Sequence, residues 1–123
     1  MRYEKKVVKK YKSAAPKTAA IKDNFWVEFE DACGYGNAQA DLIQVFPDRV
    51  FVFEIKLTAF DKVEHELQEL YIPLFEELYS RPAIGIHVFR NSRPFVSDEV
   101  QIRDSNDLAV AQPGIIHYWH LIL

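Results

Sequence analysis

The stretch VFVFEIKL (Val50–Leu57) restricts the fold more than any other part of the chain. A run of β-branched and aromatic residues that is apolar on both sides belongs inside a sheet, not at its edge. Just before it, Leu42–Phe46 reads as a second strand, and Pro47–Asp48 supplies turn chemistry between the two. With an even loop centred between Pro47 and Asp48, Phe46 faces Arg49, Val45 faces Val50 and Asp41 faces Glu54. Opposed residues of an antiparallel pair share a face about 5 Å apart. Lys56 lies two residues beyond Glu54 and points the same way. An odd loop would put the two acids on opposite faces. The even register gathers three charges onto one patch of an otherwise apolar hairpin.

The flanking segments complete a mixed pattern. FWVEFED (Phe25–Asp31) alternates, with Phe25, Val27 and Phe29 on one side and Trp26, Glu28 and Glu30 on the other, as in a half-buried strand. GYGN (Gly34–Asn37) reads as a turn. From Phe60 to Tyr79 the period changes: Val63, Leu67, Leu70, Leu74 and Leu78 recur at three and four, which is a helix. Asp61 suits its first turn or N-cap, and Pro73 predicts a kink near Glu69–Pro73. A strand follows at Ala83–Phe89, then a turn at NSRP, a short helix at Asp104–Gln112 and a last strand in IIHYWHLIL. The expected fold class is α/β with a mixed α+β sheet. Hairpin strands, an amphipathic helix and a further strand form its centre, with a small C-terminal α-β extension.

A length of 123 residues fits one domain with one core. Residues 1–22 read as a basic N-terminal arm and 23–123 as the single domain. The arm holds eight basic residues against Glu4 alone, while the remainder holds seven basic and 17 acidic residues. Such an arm suits nucleic acid, with Lys5, Lys6, Lys9, Lys10 and Lys12 as phosphate contacts; it equally suits a solvated tail. Lys9–Lys22 fits either a short helix or an extended arm. No apolar run is long enough to span a membrane, and the charged N-terminus lacks the apolar region of a signal peptide, so a cytoplasmic location is expected. The lone Cys33 excludes an intrachain disulfide and any four-cysteine metal site.

Two acids opposed on a sheet destabilise it unless something compensates. A divalent cation would do so. Carboxylates, a backbone carbonyl and waters are what Mg²⁺ prefers, and the carbonyl of Ile55 lies between Glu54 and Lys56. Lys56 would orient or deprotonate a water, or stabilise charge on a phosphate. An ion cluster of Asp41, Glu54 and Lys56 on a solvated face is the simpler alternative.

Asp41, then about a dozen residues, then Glu54-Ile55-Lys56 ending an apolar strand resembles the PD-(D/E)xK nuclease superfamily. So does the order of hairpin, E-x-K strand, amphipathic helix and strand, over roughly Phe25–Phe89. The resemblance implies a restriction-endonuclease-like core, and Mg²⁺ or Mn²⁺ held by Asp41, Glu54 and the Ile55 carbonyl. It also implies hydrolysis of phosphodiesters, most simply in DNA, with Lys56 facing the water or phosphate. GYGNAQADLI and LQELYIPLF look like the RecB/Cas4-like branch, without its iron–sulfur cysteines. That likeness makes Gln68 and Tyr71 candidates for positioning Lys56 or a phosphate; core packing for Tyr71 and boundary surface for Gln68 is the alternative. The spacing of three between them departs from the branch's usual four, and Ala40 stands where proline is usual. The upstream acid of many members has Glu28, Glu30 or Glu4 as candidates, or none.

His65, His87, His117 and His120 show no metal-binding spacing; His117 and His120, three apart on a strand, face opposite ways. Trp26, Tyr35, Trp119, Tyr3 and Tyr11 suit base stacking, and Trp26 and Trp119 suit a core equally well. The expectation is a small metal-dependent nuclease of a kind common in phages and mobile elements, working as a homodimer or within a larger recombination or repair assembly. The alternatives are an inactive nucleic-acid-binding or assembly module of the same fold, and a protein-interaction domain.

Overall fold

The structure is a computed structural model, which describes residues 2–14, 20–59, 61–91 and 99–123. The hairpin forms in the even register, between β2 (Gly34–Val45) and β3 (Val50–Thr58). Val45 faces Val50, Gln44 faces Phe51, Ile43 faces Val52 and Leu42 faces Phe53. The Phe46 N–H donates to the Arg49 carbonyl at 2.8 Å and closes the turn. The Arg81 guanidinium donates to the Phe46 carbonyl at 3.0 Å and braces it.

The described residues form a sheet of six strands in the order β1-β2-β3-β4-β6-β5. Its other members are β1 (Ala20–Asp31), β4 (Ala83–Asn91), β5 (Val100–Ile102) and β6 (His117–His120). The β1–β2 and β2–β3 pairs are antiparallel, and the β3–β4, β4–β6 and β5–β6 pairs are parallel. The α/β class with a mixed sheet is therefore as expected. β3, with neighbours on both edges, is buried from Val50 to Ile55.

The crossover from β3 to β4 is helical from Asp61 to Tyr79: α2 (Asp61–Glu66), a π-helical turn (Leu67–Tyr71) and α3 (Ile72–Tyr79). Its buried residues include Val63, Leu67, Tyr71 and Phe75, with Tyr79 half-buried behind them. This is a strict spacing of four. In an uninterrupted α-helix such a stripe drifts about 40° per step, or about 160° over the segment. The π turn holds an additional residue and turns the stripe back by about 100°. Pro73 then falls in the first turn of α3, where its missing N–H is harmless. The expected kink is thus a π turn, and the expected stripe of Leu70, Leu74 and Leu78 is displaced: Leu70 and Leu74 are half-buried and Leu78 is exposed. The segment ends at Ser80 in the left-handed conformation, φ 53°.

The basic segment is also helical. α1 (Tyr3–Ala14) lies on the sheet face opposite α2 and α3, with Val7 buried against Leu42, Phe51 and Phe53. Tyr3 and Tyr11 flank Val7 at a spacing of four. The Tyr3 hydroxyl donates to the Leu121 carbonyl at 2.6 Å, and the Tyr11 hydroxyl donates to the Gln44 side chain. The Tyr11 and Phe53 ring centroids are 4.8 Å apart. Lys5, Lys6, Lys9, Lys10 and Lys12 remain exposed, and Lys12 pairs with Asp23 at the start of β1.

Three further expectations differ. Gly34–Asn37 is strand, and the turn is Ala32–Cys33. Glycine serves packing there, because a Cβ on Gly36 would lie 2.6 Å from the Phe29 ring. The C-terminal helix is a 3₁₀ turn, Ser105–Val110, whose Asp104 cap accepts from the Asn106 N–H. The last strand is only His117–His120, and β5 is too short to show a period. The expected helix start at Phe60, the Asp61 side chain and most of the NSRP turn lie outside the described residues.

β1 and β2 change direction together at one point. Their pairing is continuous from Ala20–Val45 to Asp31–Gly34 except opposite Asp41, where Asn24 has φ 47°. Ile21 packs in the layer under α1, while Phe25, Val27 and Phe29, although in step with it, pack in the layer of α2 and α3. The ribbon therefore twists across Asn24 and Asp41. Phe25 reaches the fully buried Phe75, with ring centroids 6.0 Å apart. Complete burial of a phenylalanine is worth roughly 1.5–3 kcal/mol, so this contact helps to fix the ribbon.

Candidate active site at the parting of two strands

Asp41 sits where β2 leaves β3. Ladder bonds of an antiparallel pair recur at every second residue. From Phe46 and Arg49 they continue to Gln44 and Phe51, then to Leu42 and Phe53, where the recorded pairing stops. The next bond would take the Ile55 N–H to the Ala40 carbonyl. Instead the Ile55 N–H donates to Asp41 Oδ2 at 2.7 Å. The carboxylate thus lies in the gap between the strands and replaces a backbone acceptor. The Ile55 carbonyl projects to the same side as its N–H, so it faces this gap too.

Glu54 is 2% exposed, on the face covered by α2 and α3, and its Oε1 has no hydrogen-bond partner among the described residues. Burial, with the Asp41 charge added, pushes its carboxyl up to about 9; Lys56 opposes the rise. Burial raises Asp41 as well, against the Ile55 N–H and Lys56, which favour its charged form. A third acid joins from α1. Burial raises Glu4, and Asp41 adds to the rise through its charge and a shared hydrogen bond. Lys56 is half-buried and is felt by all three acids, yet it closes no ion pair among the described residues.

Tyr71 reaches the same place from the π turn. Its hydroxyl donates to the Gln39 carbonyl at 3.2 Å, and its ionisation is raised by burial and by the charges of Glu54, Glu66 and Asp41. Gln68 lies on the same turn but is exposed, and no hydrogen bond joins it to the acids among the described residues. Glu28 and Glu30 lie on the outer side of the ribbon, away from Asp41. Of the three upstream candidates, only Glu4 meets the site. Helix docking, which no local pattern encodes, brings it there.

Two contributors were not singled out from the sequence. Glu66, in contact range of Lys62 at 3.8 Å, adds negative charge toward Glu54 and Tyr71. His87 is paired with Glu54 across β3 and β4, and its Nδ1 lies 3.3 Å from the Glu54 carbonyl. A carbonyl only accepts, so the proton is on Nδ1. His87 fixes the backbone that carries Glu54. Of the other histidines, His65 is exposed, and His117 and His120 do face opposite ways. Burial lowers His117 and favours its neutral form.

No group of three His, Cys, Asp or Glu side chains encloses a metal site among the described residues. The donor set nevertheless fits one hard divalent cation. Mg²⁺ keeps several waters and takes one or two carboxylates. Asp41, Glu54 Oε1, unpartnered among the described residues, and the Ile55 carbonyl supply suitable oxygens, and a cation there would offset the burial and mutual repulsion that raise these acids. A concavity of about 750 Å³ lies elsewhere, under α1 and lined by groups such as Val7, Phe51 and Trp119. The acids lie outside it, at the parting of the strands, where Glu4, Asp41 and Lys56 are half-buried and Glu54 is buried.

No helix among the described residues is long and apolar enough to cross a membrane. No family model matches the chain, nor does any curated protein or solved structure.

Proposed function

We propose that the chain is a metal-dependent nuclease of the PD-(D/E)xK type, with a restriction-endonuclease-like core and DNA as its substrate. The observation that carries this reading is the strand parting at Asp41. The even pairing ends at Leu42 and Phe53, one step short of Asp41 and Glu54; the two carboxyls still meet there, Glu54 Oε1 has no hydrogen-bond partner among the described residues, and Lys56 stands nearby in no ion pair among them.

Asp41, Glu54 and the Ile55 carbonyl would hold Mg²⁺ or Mn²⁺, with Glu4 as an outer acid. The ion would acidify a water and neutralise phosphate charge. Lys56 faces the same space and would orient that water or pair with a phosphate oxygen. Tyr71 ties the π turn to Gln39 and so keeps the helix against the site. The exposed lysines of α1 would bind backbone phosphates near the acids. A second reading, a non-cleaving binding or assembly module of this fold, is favoured by the acidic balance of residues 23–123, seven basic against 17 acidic, because catalysis on a polyanion gains from a positive approach surface.

The test is cleavage of single-stranded, double-stranded and branched DNA with Mg²⁺, compared for wild type, Asp41→Ala and Lys56→Ala. Metal-dependent cleavage that both variants lose supports the nuclease. Pure wild type that cleaves none of them removes it.

A further inference from the structure

Two exposed aromatic side chains stand on the ribbon that leads away from this centre and have no part in the reading above. β2 pairs with β3 only over Leu42–Val45 but with β1 from Gly34 to Val45, interrupted only at Asp41, so the residues beyond Asp41 form a two-stranded ribbon. The inner side of the ribbon is packed. Ala38 and Ala40 are buried, Phe25 meets Phe75, and the Phe29 ring covers Gly36. On the outer side Trp26 is opposite Gln39, and Tyr35 is opposite Glu30. Trp26 is 61% exposed and Tyr35 is 88% exposed. Gln39 is two residues from Asp41, about 7 Å along the strand, and Tyr35 is about 14 Å further out. Large aromatic faces held in solvent on a packed element mark a contact surface.

Charge indicates what is contacted. The outer side also carries Glu28 and Glu30, which repel phosphates but not the faces of bases. α1 offers the opposite chemistry, with exposed lysines and with Glu4 reaching Asp41. The acids thus lie between a cationic helix and an aromatic, acidic ribbon. A single strand can turn its phosphates to the helix and its bases to the ribbon. A duplex cannot: its base faces are stacked on each other, and its two backbones would bring phosphates onto Glu28 and Glu30.

Resting on the nuclease reading, we propose that the ribbon is a base-stacking platform, with Trp26 taking the base beside the reacting phosphate and Tyr35 a more distant one. The substrate class is single-stranded nucleic acid, or the single-stranded end of a duplex.

Trp26 and Trp119 are the two tryptophans of the chain, and Trp119 is only 7% exposed. Both indoles emit, but only Trp26 is open to a ligand, so quenching on binding reports on Trp26. The full chain carrying Asp41→Asn, without divalent metal, is titrated with oligothymidine, with a hairpin duplex of equal length and with oligolysine. Oligothymidine is expected to quench the emission. Adding Trp26→Ala is expected to remove the quenching and weaken binding roughly 5- to 150-fold, and Trp26→Phe, which keeps a ring, is expected to retain most of the affinity. Duplex binding as tight as single-strand binding with equal quenching, or affinity unchanged by Trp26→Ala, overturns the proposal. So does quenching by oligolysine in place of the oligonucleotide, which would assign the ribbon to a basic protein. Wild-type cleavage is read separately. Duplex cleavage unaffected by Trp26→Ala removes the platform and leaves the nuclease. Single-strand stacking without any cleavage keeps the platform and removes the nuclease.

Discussion

Replacing Glu54 by glutamine should stabilise the metal-free protein. The Glu54 carboxyl ordinarily titrates at 4.5 and is pushed up to about 9 by burial and by Asp41. Between those values the folded chain holds a proton that the unfolded chain releases. The contribution of this group is therefore fully present below pH 4.5 and is lost progressively as pH rises toward 9. At pH 7, holding the proton costs about 1.4 kcal/mol for each pH unit above the ordinary value, or roughly 3 kcal/mol as an upper bound. Glutamine avoids that cost, because it is neutral and can donate to Asp41 as the protonated acid does. The expected gain is up to about 3 kcal/mol at pH 7, a rise in Tm of about 10 °C, shrinking to near zero at pH 4.5. Thermal and urea unfolding with a chelator at both pH values measure it. Mn²⁺ in large excess over its Kd should stabilise the wild type by about 2.7 kcal/mol and the variant by much less. A variant less stable at pH 7, or equally stabilised at both pH values, would refute the description of Glu54 as a buried acid in a field of acids.

Lys56→Ala should reduce cleavage by at least about 100-fold and shift stability by about 1 kcal/mol or less, since Lys56 closes no ion pair among the described residues; single-turnover rates and urea midpoints separate the two effects. Phe75→Ala should cost about 3–5 kcal/mol in urea unfolding, as Phe75 is fully buried and carries the contact with Phe25. Tyr71→Phe removes the bond to the Gln39 carbonyl and should cost about 1 kcal/mol, read in the same way. Changing Lys5 and Lys9 together to alanine should flatten the slope of log affinity against log salt for a single strand by about 1.4.

The hairpin was legible because turn length and a period of two leave only one register that keeps Ile43 and Val52 inside. That register also placed Asp41, Glu54 and Lys56. What escaped depends on contacts between distant segments. The lysines of α1 obscured its Tyr3, Val7 and Tyr11 stripe, and nothing local says that Glu4 docks beside Asp41. Gly34 and Gly36 looked like a turn, although Gly36 is small to make room for Phe29. The spacing of four from Val63 to Tyr79 was readable, but an ordinary α-helix favours the competing Leu70, Leu74 and Leu78 stripe. Only the π turn reverses that preference. The positive φ at Asn24, which turns the ribbon, has no sequence signal beyond asparagine's tolerance of that conformation.

Asp41 has two employments, and Lys56 has one. The carboxylate that would grip a metal also completes the hydrogen bonding of Ile55. A descendant of this chain that had abandoned cleavage would still gain from an acceptor at position 41, and asparagine would serve. Lys56 completes no backbone bond of this kind among the described residues and only offsets the charge of the acids, so it has less to protect it once they are lost or neutralised. Loss of function in this lineage should therefore erode the lysine first and leave the acid, or its amide, as a fossil. Across related chains, a retained position 41 records the fold, whereas a retained lysine at 56 records the chemistry.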